Sequence, residues 1–228
     1  MKTIYSIIIL GLFSIQGISQ SACSKFYPMT EGTTSQITSY TKKGKVAAKT
    51  DFTIKNVRRE LNAELATVHS VMRDKKDQLI VESNFDVVCS ENIVSIDFKS
   101  MVSPHLFEQY GDAEMDVTGT NVELPNDLSV GQTLSPADIN IKVKLSGITL
   151  KMYVGMEDRK VIGRETITTP AGTFNCFVIT YTSKMKMGIN QTGSAKQWIA
   201  EGVGMVKQED YNRSGRVTSS SLLTEFSN

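Results

Sequence analysis

The chain has 228 residues, 40% hydrophobic and 21% charged, with 25 Lys and Arg against 24 Asp and Glu. So even a balance excludes a main role on nucleic acid or an anionic membrane, since both need an excess of basic charge. The length suits one sizeable all-β domain or two small ones.

The first residues, MKTIYSIIILGLFSIQGISQS, place one Lys before an apolar run from Ile4 to Ile18, with small residues after it. That is the order of a secretory signal peptide. The apolar run is too short for a membrane span of about 20 residues. We therefore expect a signal peptide at residues 1–21 and one β domain at 22–228, exported to the periplasm or cell surface, with no transmembrane segment in the mature chain. Cys23 would also permit a lipid anchor, although Gln20 stands where a lipobox prefers an aliphatic residue. In an oxidising compartment three cysteines ask for one disulfide and one free thiol. Cys176 lies in an apolar strand pattern and reads as a buried, inert thiol. Cys23–Cys89 is the preferred pair, and spacing alone leaves the other two pairings open.

Alternation with period two then dominates, bounded by turn residues about every ten positions, which predicts an antiparallel β protein. Strands are expected at 33–40, 46–57, 64–72, 78–89, 94–98 and 113–124. Between the last two, SPHLFEQYG at 103–111 offers a Ser cap, a first-turn Pro and a Gly stop, the signal of one short helix. Residues 125–138, rich in Pro, Asp, Gly and Ser, read as a loop. Further strands are expected at 139–145, 148–156, 160–168, 173–187, 192–200, 203–211 and 216–226. With no linker between the halves, these make a single strongly curved antiparallel sheet, an open half-barrel of about a dozen strands.

Pro170 and Gly172, in TTPAGTF, predict a tight hairpin turn. The strand after it is apolar on both faces, so it is either central and covered or lines a cavity. Met152, Met156, Met185, Met187 and Met205 cluster in this half, and thioether chains suit irregular apolar surfaces. The candidate apolar lining is Met152, Phe177, Ile179, Tyr181, Met185, Met187 and Trp198; whether Trp198 sits in the core or at a rim stays open. DRKVIGRET, from Asp158 to Thr166, reads as a turn and strand entry with exposed ion pairs. No catalytic group, metal set or cofactor motif stands out. His69 and His105 have no metal-ligand spacing, and no nucleophile elbow, zinc motif or phosphate loop occurs.

RKVIGRETITTPAGTFNCFVIT, KQWIAEGVGMVKQEDYNRSGRV, DVVCSENIVSIDFKSM and ACSKFYPMTEGT together resemble the TapB-like exported family of Bacteroidetes, itself related to a larger domain-of-unknown-function family. Thr169, Pro170, Ala171, Gly172, Thr173, Phe174 and Cys176 carry the first signature. Trp198, Gly202, Val203, Gly204 and Val206 carry the second, with Ile199 where an aromatic often stands. The resemblance implies an exported all-β protein with no assigned enzymatic activity, and a tetratricopeptide-repeat protein as a conceivable partner. The expected function is a non-catalytic envelope protein that binds an apolar small molecule, a lipid or a lipidated client on the concave face. The alternative is an envelope interaction protein that binds another protein through an edge strand or the 125–138 loop.

Overall fold

The structure, a computed structural model, describes residues 23–97, 114–145 and 148–228. The expected signal peptide, the short helix at 103–111 and His105 lie outside the described residues, among which no helix occurs. What they form is all β: β1 (Thr34–Thr41), β2 (Val46–Glu60), β3 (Ala63–Asp74), β4 (Leu79–Ser90), β5 (Ile93–Ile96), β6 (Glu114–Thr120), β7 (Val122–Pro125), β8 (Ala137–Leu145), β9 (Ile148–Thr169), β10 (Gly172–Met187), β11 (Ile189–Ala200), β12 (Gly204–Asn212) and β13 (Val217–Ser227).

These 13 strands make one antiparallel sheet in the order β6-β8-β9-β10-β11-β12-β13-β1-β2-β3-β4-β5-β7. Its two end strands, β6 and β7, are consecutive in sequence, and only Asn121 separates them. Two Cα steps reach at most about 7 Å, close to the spacing of neighbouring strands. One residue thus carries the chain from one end of the sheet to the other, which is possible only if the sheet curls into a nearly closed barrel. Packing agrees. Leu124 on β7 shares a buried cluster with Val161 on β9, Phe177 and Ile179 on β10 and Ile199 on β11, from the opposite part of the order.

Two expected strands, 148–156 and 160–168, are one 22-residue strand, β9. It stays continuous because irregularities absorb its curvature: the register against β10 shifts at Val178/Ile179 and at Thr180/Thr182. Conversely, the stretch expected as one strand at 113–124 divides at Asn121. The 125–138 loop also differs from expectation. Its Leu128 and Leu134 are buried in the Phe177 cluster. Just before β8 begins, the loop backbone already pairs with β9, with Leu134 N–H donating to Arg159 O at 2.9 Å and Val161 N–H to Gln132 O at 2.9 Å. Pro and Gly mark a chain that leaves the sheet, but they do not say whether it returns to the core.

The N-terminal segment before β1 is pinned across one end of the barrel. Cys23 and Cys89, the preferred pair, form a disulfide with Cα atoms 5.8 Å apart. The Cys23 sulfur is therefore engaged and does not serve as a thioether anchor. Lys25 N–H donates to Asn126 Oδ1 at 2.8 Å, Asn126 Nδ2 to Cys23 O at 2.9 Å and Gly202 N–H to Lys25 O at 2.9 Å. Phe26 is fully buried and meets Phe177 edge-on, with ring centroids 5.8 Å apart. Burying such a ring contributes about 1.5–3 kcal/mol. Gly204 is required beside it: its φ is +86°, and a Cβ there would lie 3.0 Å from the Tyr27 ring.

Candidate functional site

β10 is covered on both faces. Phe177 and Ile179 point into the cluster with Phe26 and Leu134, and Tyr181 packs with Met156, Ala137 and Ala195. On the other face Cys176 and Val178 pack with Trp198, Val206 and Leu223. The apolar run that signals this strand is thus a core signal. Trp198 is a core residue whose indole N–H donates to Glu165 Oε2 at 2.8 Å, with the Lys207 ammonium 4.5 Å from the ring centroid. Met152 is half-buried against Ile139 and Ile141. Met185 is 42% exposed. The side chain of Met187 lies outside what the structure describes.

The apolar cavity is elsewhere. A space of about 310 Å³ is walled by Phe52 and Ile54 of β2, Val68 of β3, Phe85 and Val87 of β4, and Tyr27 of the N-terminal segment. Met156 of β9, Met205 of β12 and Leu223 of β13 complete it from the other part of the sheet order. The volume lies near the lower end of the range for small-molecule pockets, roughly 300–1,000 Å³. Phe177, Ile179, Tyr181, Met185, Met152 and Trp198 do not border it. Ile54, Val68, Phe85 and Val87 follow plain strand alternation, so the sequence marks them as inward-facing. It carries no mark of the void they leave. Phe52 and Phe85 fix one wall with an edge-on contact at 6.3 Å.

Polar groups at the wall are few. Thr33 and Ser35 offer hydroxyls, and Gln197 and Gln208 offer amides, with Gln197 Nε2 donating to Gln208 Oε1 at 2.7 Å. Such groups orient a ligand but do not transfer protons near neutral pH. A second hollow of about 560 Å³ lies along β9 and β10 between Arg164, Glu165, Asn175 and Glu201. Phe177 is the one candidate that borders it, and there the Arg164 guanidinium covers the ring at 4.1 Å from its centroid.

His69 sits on β3 with Nδ1 3.1 Å from Asn84 Oδ1 and Nε2 3.3 Å from Glu82, a hydrogen-bonded surface imidazole. Cys176 is free and buried, and burial pushes its thiol up to about 11. The nearby Glu165 carboxylate adds in the same direction. Only the thiolate alkylates, so at pH 8 the folded protein should resist iodoacetamide and label fully in urea. Mass spectrometry reads the difference, and rapid labelling of the native protein would show that the β10 core opens.

Arg159 corrects the expectation of exposed ion pairs around DRKVIGRET: it is 1% exposed. Its Nη1 donates to Glu123 O at 3.0 Å and Ser135 O at 2.7 Å, linking β9 to β7 and to the following loop. Burial holds its pKa below the usual guanidinium value, yet the group keeps its charge at any physiological pH. Tyr27 and Tyr181 lie within reach of that charge. Burial raises both phenols, and Arg159 opposes the rise.

The geometry defines a class: a nearly closed antiparallel β-barrel with an apolar interior cavity, one end crossed by a disulfide-pinned segment. A family profile described as DUF3108-like matches residues 30–223, and the chain belongs to that family. Two solved structures share the fold, each with a TM-score of 0.75 over 90% of this chain and 100% of the other. One, 19% identical, is described as a candidate exported protein with a YmcC-like fold from Bacteroides fragilis. The other, 22% identical, is described as a candidate lipoprotein from Parabacteroides distasonis. No curated protein matches the sequence.

Proposed function

We propose that this is an exported, non-catalytic envelope protein that holds an apolar molecule, or the acyl chain of a lipidated client, inside the barrel. The observation that carries the reading is the 310 Å³ cavity with its wall of aliphatic and aromatic side chains. A well-packed interior has few voids larger than a water molecule. A void about twice the 150 Å³ of an apolar cavity that binds benzene is suited to a guest. Export is supported by the charged, apolar and small-residue order of the first 21 residues, and by the descriptions of the two structural neighbours.

Native mass spectrometry of protein from its own cells should show a co-purifying lipid-sized mass, and an acyl fluorophore should bind the stripped protein. Ile54→Trp, which fills the cavity, should weaken the fluorophore at least tenfold while circular dichroism stays unchanged. Absence of both guest and fluorophore binding would remove the reading.

A second reading, an envelope interaction protein, rests on the hairpin ends. Ile148 is 66% exposed at the start of β9 and Ile189 is 73% exposed at the start of β11. Apolar side chains so placed suit a protein partner. The resemblance to TapB-like proteins makes a tetratricopeptide-repeat protein the first to seek. Cross-linking in cells through these two positions would return a reproducible partner if this reading holds.

A further inference from the structure

Arg159 is turned inward by a defect built into its strand. Between Glu157 and Lys160 β9 advances three residues while β10 advances two, from Thr182 to Thr180, so β9 carries one extra residue. The irregularity includes Asp158, a non-glycine residue at φ 53° whose carboxylate accepts a bond from Thr182 Oγ1 at 3.1 Å. Bulges of this kind bend a strand and re-aim its side chains, often beside functional sites. Here Met156 and Arg159, three positions apart, are both buried.

The charge so placed has no ion-pair partner, and the Glu123 carboxylate acts on it only from beyond salt-bridge distance. Among the described residues no carboxylate forms an ion pair with Arg159, and its Nε is buried without a hydrogen-bond partner. Two carbonyl bonds at Nη1 satisfy one corner of the guanidinium and leave the buried Nε without a partner. A buried cation without a directly paired carboxylate is costly, and an unsatisfied buried donor adds to that cost. Arg159 does not itself line the cavity, but residues beside it do. Met156 and Tyr27 line the space, as does Val122, next to the Glu123 that Arg159 holds.

We infer that Arg159 is the anion receptor of the barrel, and that the guest is a single-chain amphiphile whose anionic head, a carboxylate or phosphate, bonds the Nε edge while its chain occupies the cavity. The inference rests on the cavity reading above and adds the charge class of the ligand. A guanidinium edge matches the two oxygens of such a head. The cavity has room for on the order of ten water-sized groups, which suits one medium-length chain.

Titration calorimetry of the stripped full chain at pH 7.5 with decanoate, decyl phosphate and decanol tests it. Decanoate, decyl phosphate or both should bind at least tenfold more tightly than decanol, and the tighter of the two identifies the head. In Arg159→Met the advantage should vanish while decanol affinity stays within twofold; Arg159→Lys should recover part of it. If all three bind the wild type equally, Arg159 is only a tie between β9 and β7, and the inference falls while the cavity reading stands. If none binds, both fall. The wild-type comparison decides the matter even if Arg159→Met does not fold.

Discussion

Removing the Cys23–Cys89 bond should lower the stability of the barrel by about 4 kcal/mol, the chain-entropy value for cross-linking residues 66 apart. The double variant Cys23→Ser, Cys89→Ser should show this as an earlier urea midpoint. The effect should exceed that of an ordinary surface bond because the segment it pins carries buried groups. Phe26 leaves the Phe177 cluster if the segment detaches. Glu64, buried between the Cys23 N–H at 3.0 Å and Arg59 Nε at 3.0 Å, loses one partner. Tyr27 also leaves the cavity wall, so acyl fluorophore binding should weaken in the same variant. A midpoint shift equivalent to less than 1 kcal/mol would mean that Phe26 and the Asn126 bonds hold the segment without the disulfide.

Phe177→Ala should cost about 3–5 kcal/mol, the range for truncating a buried aromatic ring, and lower the Tm by on the order of 10 °C. The ring meets Phe26 edge-on, shares a buried cluster with Ile179 and supports the Arg164 guanidinium, so the N-terminal segment, β9 and β10 lose packing at once. Met185→Ala, on the same strand at a site 42% exposed, should stay within about 0.5 kcal/mol. The pair separates core from surface on one strand by thermal melting. If Phe177→Ala were nearly silent and changed fluorophore affinity instead, β10 would be a binding wall after all.

That contrast shows where the sequence could be read and where it could not. Period-two alternation located nearly every strand, because a strand's side-chain period is a local property. TTPAGTF revealed its hairpin, with Thr169 opposite Gly172, because Pro and Gly state their backbone needs directly. The preferred disulfide was legible from compartment and count. Position of the cavity was not. A strand apolar on both faces, β10, and one apolar on a single face, β3, differ only in what packs against them, and the packing is decided by strands far away in the chain. Arg159 was misread for the related reason that alternation assumes a regular strand. An extra residue at the Asp158 bulge reverses parity, and nothing in DRKV announces it.

The first and last strands in chain order are neighbours in the sheet: Thr34 of β1 lies opposite Ser227 of β13. The central seam of the barrel therefore joins residues nearly the whole domain apart, and it cannot form until the final strand is available. Closing so long a loop is slow compared with forming hairpins. Refolding should show the β9–β10 hairpin protected early, with the seam last. During synthesis the barrel stays open until its last strand emerges.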